Sequence, residues 1–443
     1  MTGRSQSTRV RLMRKLVLGM GIWGATAMSQ AQSIEAPQDA FRLANQLTNT
    51  INDAFASGDL RRGYADAITA LNAFAKVQRD QDAWDILSQM VASQAAGLGM
   101  HDLALEVMGP TGQIAAVPQG LEAQPAIQEI VQAAAGHRIV MLNEAHHVGL
   151  HREFARRMLE PLRAAGFTHL ACEGFANARD EGFEIDAQRL GYATRDTGHY
   201  ISDPFFADFV REAVELGFKL VAYETLDRRP PGEESPAASI NRRETSQAEQ
   251  LEAILNADPN ARLFVYCGYS HLTESPMRVD GEEVRWLASR LREATGIDPL
   301  TVSQTTYYPR SSNRQRGSAI AGFDRDDSFV LRDDDGLWSP KPEQYDIELL
   351  HPSTDPVDGR PGWMFRADDR ERVDVDLSAI DQSDDAVLVV TREGEPMNAI
   401  PSDVVLLRSG QREAALSLRA GSYHVWLVRQ DHEPELIASP IVN

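Results

Sequence analysis

Glu144, His146, His147 and His151 lie within NEAHHVGLHREF, residues 143–154, directly after the apolar run IVML. Further along, Glu173 follows THLAC (168–172), Glu224 and Thr225 follow FKLVAY (218–223), and Gly268, Tyr269, Ser270 and His271 follow RLFVYC (262–267). Carboxylates and imidazoles gathered in this way suit two kinds of chemistry. Glu and His ligate a divalent ion such as Mn, Zn or Fe, with water in an open position. They also act without metal, a neutral His deprotonating water that carboxylates orient, with a cation to stabilise an oxyanion. The spacing leaves both open. HEXXH, GXSXG, a P-loop and a Gly-rich dinucleotide turn are all absent, so zincin, nucleophile-elbow and nucleotide-cofactor chemistry lack support.

The elements that must position these groups are strands and helices in alternation over residues 121–308. RIVML, THLAC, FKLVAY, RLFVYC and LTVSQ (300–304) read as buried strands. The segments 148–164, 204–216, 239–256 and 282–295 read as helices. Continuous apolar strands separated by amphipathic helices predict an α/β domain with a mostly parallel sheet flanked by helices. All the polar groups above then share the carboxyl edge, where such sheets bind ligands. On the 239–256 helix Arg243 falls at the border of the apolar side and Arg242 points to solvent. For Arg243 alone, a surface ion pair and an inward cation are both open. His151, one turn into its helix, is expected on the surface.

At these residues NEAHH resembles the GE-x-x-H motif of erythromycin esterase-like proteins and the GE-x-H motif of ChaN-like haem-binding proteins. HLACEGF resembles the second glutamate motif, at Glu173. RRETSQAEQL resembles the R-D-x-x-M-A helix, with Arg243 matching its arginine, and VYCGYSHLTE resembles the G-x-x-H element of the TIKI–TraB superfamily. The likeness covers about residues 135–308 and departs from the pattern at Asn143, Val148 and Gln247. It implies hydrolysis by Glu144, His147, Glu173, Arg243 and His271 in the esterase-like register. In the ChaN-like register His146 replaces His147. It implies a metal set drawn from Glu144, His146, His147, Glu173 and His271. It also implies, as a rival, haem or iron binding with Tyr269 and His271. A non-catalytic envelope protein is the third class.

The flanks differ. Residues 1–31 carry Arg4, Arg9, Arg11, Arg14 and Lys15, then LVLGMGIWGATAM, then Ser29-Gln30-Ala31, the pattern of a secretory signal. A secreted or periplasmic protein with no stable membrane span after cleavage is expected. Residues 34–120 are expected as a helical module, with Ile51, Tyr64, Trp84 and Val91 at helical spacing alongside Phe41, Leu47, Phe55, Ile68 and Leu71. An irregular extension is expected at 309–365. A small β-sandwich is expected at 366–443, from alternation such as RVDVDL. A net charge of −21 excludes a general nucleic-acid binder, which needs a basic face. The partner expected is a small-molecule or peptide substrate. Cys172 and Cys267, the two cysteines, are expected as buried free thiols.

Overall fold

The computed structural model describes residues 46–443, apart from 55–58, 68–80, 109–115, 179–182, 228–233, 310–319, 367–368, 381–383 and the single positions 47, 52, 60, 321, 324 and 431. The expected signal at 1–31, and Phe41, Leu47, Phe55, Ile68 and Leu71, lie outside the described residues. The rest is mixed α/β with a largely parallel sheet, and it divides into two compact units.

One unit comprises described residues up to Gly109, with Ser202–Pro204 and Asp355–Asn443. Helices α1 (Gln81–Gly97) and α2 (His101–Met108) contribute Val91, Ala95, Leu103 and Val107 to a cluster with Val387, Val389, Val404 and Val428. Helices and strands of this unit thus share one core. Its strands form antiparallel sheets, Arg370–Asp376 pairing with Glu413–Arg419, and Ala386–Arg392 lying between Asp403–Leu407 and Gly421–Arg429.

The other unit spans Pro110–Ile201 and Phe205–Thr354. Its strands are β1 (Glu122–Pro125), β2 (Ile139–Glu144), β3 (His169–Cys172), β4 (Lys219–Ala222), β5 (Leu263–Gly268), β6 (Met277–Val279), β7 (Glu282–Val284), β8 (Leu300–Tyr307), β9 (Phe329–Asp333), β10 (Gly336–Leu337) and β11 (Ile347–Leu350). The main sheet has the order β1-β9-β11-β8-β2-β5-β3-β4, with β10 beside β9. From β11 to β4 every pairing is parallel, while β9 pairs antiparallel with its neighbours. Helices α3 (Ala126–Ala134), α4 (Gly149–Arg157), α5 (Leu159–Ala164), α6 (Asp186–Leu190), α7 (Pro204–Glu215), α8 (Pro236–Ala257) and α9 (Leu287–Thr295) complete it.

Alternate strand residues face opposite layers. Ile139, Met141, Ala171, Leu263 and Val265 meet Leu251 and Leu255 of α8 and Leu287 and Leu291 of α9. Phe264 and Tyr266 point the other way and meet the ring of Phe209 on α7. Three expectations are corrected here. The 309–365 stretch is not wholly irregular, because FVLRD and IELL supply β9 and β11; these runs are short and hidden between charged and Pro-rich segments. The 282–295 helix begins only at Leu287. Asp280-Gly281, both at positive φ, turns the β6–β7 hairpin instead, as Asp-Gly favours. The 148–164 helix is split at Met158, three residues before Pro161, whose missing N–H weakens a continuous helix.

Candidate active site

Glu144 closes β2 opposite Gly268 of β5, on the face of Tyr266. Glu173 comes one residue after β3, on the face of Ala171 and α8. The two carboxylates therefore reach the carboxyl edge from opposite sides of the sheet. Each meets a cation belonging to its own layer.

On the first side Arg152 of α4 is 1% exposed. Its Nε donates to Glu144 Oε2 at 2.9 Å and its Nη2 to Oε1 at 3.2 Å and to the His146 carbonyl at 2.7 Å. Tyr266 Oη donates to Glu144 Oε2 at 2.8 Å. Burial alone would push the Glu144 carboxyl up. The Arg152 charge and the His146 hydrogen bond outweigh it and hold the group well below the usual carboxylate range. His146 Nδ1 lies 2.7 Å from Glu144 Oε1. An ionised carboxylate only accepts, so Nδ1 carries a proton, and a neutral ring in this orientation has its lone pair on Nε2.

On the second side Arg243 of α8 donates to Glu173 Oε1 at 2.5 Å and, through Nε, to Glu224 Oε1 at 2.9 Å. Its Nη1 lies 3.2 Å from His271 Nε2. That Nε2 is 3.3 Å from Glu173 Oε1, and His271 Nδ1 donates to Glu244 Oε2 at 2.8 Å. Burial pulls the His271 pKa down, but Glu173 and Glu244 outweigh it and raise it to about 10. His271 is thus an imidazolium at neutral pH. Glu173 accepts the Gly268 N–H at 2.5 Å; burial pushes its carboxyl up, and His271, His146 and Arg243 together hold it well below the ordinary range.

Gly268 joins the two sides. A Cβ there would meet His146 Nε2 and Cε1 at 2.7 Å and Glu173 Oε2 at 3.0 Å, so His146 Nε2 lies beside the Glu173–Arg243–His271 cluster. Tyr200 stacks on the His146 ring at 4.4 Å and 5°, and Tyr269 meets it edge-on at 5.7 Å. Tyr200, in the loop TGHYISDP, therefore has its ring directly on the site. Asn143 supports the turn, donating from Nδ2 to the Tyr269 carbonyl at 2.8 Å.

Glu144, Glu173, Arg243 and His271 are brought together; His147 is not. It is 2% exposed, with a buried Nε2 that has no hydrogen-bond partner. Burial, reinforced by His146 and Arg152, lowers its pKa to about 3. Of the two registers, the Glu-x-His spacing is the one whose histidine meets Glu144 and Gly268. His151 is not on the surface: it is fully buried, and its Nδ1 accepts the Ala145 N–H at 3.1 Å. Arg242 is not simply solvated but pairs with Glu234 at 2.6 Å. Sequence reasoning missed Arg152, Tyr266 and Glu244. Helix α4 is buried on nearly every side, so a wheel built on one apolar stripe sends Arg152 to solvent.

No protein-family model matches the chain, and no curated protein matches it. Among solved structures it is similar to the type III effector HopBA1, at 12% identity and TM-score 0.34, over 56% of this chain and 100% of that one. It is similar to RRSP, a MARTX toxin effector domain from Vibrio vulnificus CMCP6, at 12% identity and TM-score 0.33, over 68% of this chain and 63% of that one. The C-terminal region of Pasteurella multocida toxin gives 10% identity and TM-score 0.30, over 82% and 55%. At these scores the likenesses assign nothing to the site.

The expected metal set of Glu144, His146, His147, Glu173 and His271 is not assembled. Among the described residues no group of three or more His, Cys, Asp and Glu is gathered to hold a metal ion. Arg152 and Arg243 already occupy carboxylate oxygens that a divalent cation would need, and His147 is turned away. Cys172 and Cys267 are free and buried. Burial pushes both thiols well above their usual range, so neither serves as a thiolate nucleophile. What remains is an imidazole, His146, held through Nδ1 by a carboxylate, with two cations, Arg243 and His271, on the other side of Gly268 and Glu173.

Proposed function

We propose that this chain is a hydrolase of an ester, lactone or amide bond with water as the nucleophile. His146 is the general base: Glu144 orients it through Nδ1, and Nε2 takes a proton from water. Arg243 and His271 stabilise the oxyanion that forms as water adds to the carbonyl, and Glu173 holds these two cations in place. As the tetrahedral intermediate collapses, the proton on His146 Nε2 passes to the leaving oxygen or nitrogen. A general base of this kind contributes about 10²–10⁴-fold, and a preorganised donor in an oxyanion site about 10²–10³-fold.

The single observation that carries this reading is the 2.7 Å contact of Glu144 with His146 Nδ1, which leaves Nε2 against Gly268 and near the Glu173 carboxylate that holds the cation pair. The Glu173, Arg243 and His271 elements that resemble esterase-like and TIKI–TraB motifs support the same reaction class, although the first motif follows the ChaN-like spacing at His146, and the 1–31 pattern supports an exported enzyme. The test is a panel of generic ester, lactone and peptide substrates offered to purified protein, with and without chelator. Turnover that resists chelator and is lost in Glu144→Gln is expected. Turnover unchanged in Glu144→Gln overturns the reading.

A further inference from the structure

Tyr200 sits in the left-handed region, φ 59°, which is uncommon for a residue with a bulky side chain. The segment before it is firmly anchored. Thr194 and Thr197 hydroxyls each donate to Asp186 at 2.6 Å. The Ala176 N–H donates to the Thr197 carbonyl at 2.8 Å, and the His199 N–H donates to the Gly174 carbonyl at 2.7 Å. Gly198 is so close to the chain after β3 that an added Cβ would lie 1.9 Å from the Gly174 oxygen. The anchored loop thus carries a strained residue to one place, with its ring parallel to His146 at 4.4 Å. Tyr200 is nevertheless 45% exposed, so burial of its own ring does not explain the strain. Strain of this kind persists where surrounding structure enforces it, and it concentrates at functional sites.

We infer that Tyr200 is a positioning residue for His146. Its ring holds the imidazole in the plane that gives Nδ1 to Glu144 and Nε2 to the pocket, and it covers the face of His146 turned to solvent. The outer face of Tyr200 then forms the solvent-side wall along which a substrate enters. This rests on the reading of His146 as the base.

The test is the rate of His146 acylation by diethylpyrocarbonate, read by peptide mass spectrometry against the exposed His432 of the same chain. Tyr200→Gly removes the ring and accepts the positive φ without strain, so the variant folds. Loss of the stacked pair raises the His146-to-His432 ratio by roughly two- to tenfold, and Tyr200→Phe restores the wild-type ratio. On any substrate found in the panel, Tyr200→Gly lowers kcat and Tyr200→Phe recovers it. An unchanged labelling ratio in Tyr200→Gly overturns the inference. Because labelling needs no substrate, a raised ratio in a protein without hydrolytic activity supports the shielding role and sinks the hydrolase reading alone.

Discussion

The chemistry turns on single side chains whose protonation is set by immediate neighbours. His146 and His147 are adjacent in sequence and have opposite fates, because one faces the carboxylate edge and the other is enclosed. Sequence could locate the pair but not choose between them, since the choice depends on how the turn after β2 leaves the sheet. His271 has a folded pKa of about 10 against 6.5 for a free imidazole. A raised folded value means that its stabilisation is complete below about pH 6.5 and is lost as pH rises towards 10. His271→Gln should therefore lower Tm most near neutral and mildly acid pH, with the deficit shrinking towards pH 10 in thermal melts recorded across that range. A deficit independent of pH would show that the ion pairs with Glu173 and Glu244 do not set its charge.

At the scale of elements, the parallel sheet and its carboxyl edge were legible from the alternation of apolar strands and amphipathic helices. Arg243 was legible only as a residue at the border of the apolar side of α8, where an inward cation and a surface ion pair were both open. The short strands β9 and β11 were not legible, because three apolar residues in each, set among Asp, Glu, Arg and Pro, carry no period. The closing glycine of β5 yields a sharp expectation. Gly268→Ala places a Cβ within 2.7 Å of His146, so the ring must shift. Activity should fall by about 10²-fold, the scale of a displaced catalytic base, while circular dichroism stays native. Strand β11 carries a second test. Glu348 is fully buried, with Tyr345, Thr306 and Ser303 beside it; burial raises its pKa to about 8 despite these neighbours. The folded state holds that proton more tightly, so this group's contribution to stability falls as pH rises from about 4.5 to 8. Glu348→Gln should raise Tm at pH values above 8 and change it little in acid. A lower Tm above pH 8 would contradict the buried-acid assignment.

For the whole molecule, the acid side of the stability profile follows from groups that fold uncharged or tightly paired. Burial, as the largest influence, depresses His147 and His351 to about 3 and His151 well below its usual value. Such histidines bind protons more tightly when unfolded, so stability is lost progressively from about pH 6.5 down to 3. Glu144 and Glu173, held low by their cations, add to the loss below about pH 4.5. Urea midpoints should therefore decline steadily through this window, and His351→Gln should make the decline shallower from about pH 6.5 down to 3. Composition and charge argued against a general nucleic-acid binder. They were silent on the buried histidines, whose environment depends on strands β8 and β11 arriving from far along the chain.

The central claim is that His146, and not His147, is the base. The most direct measurement is the rate of hydrolysis of the best substrate from the ester, lactone and peptide panel by His146→Gln and His147→Gln, each checked for a native fold. The account predicts loss of about 10²–10⁴-fold for His146→Gln and near wild-type turnover for His147→Gln. Full activity in His146→Gln, or its loss in His147→Gln with the fold intact, would contradict it.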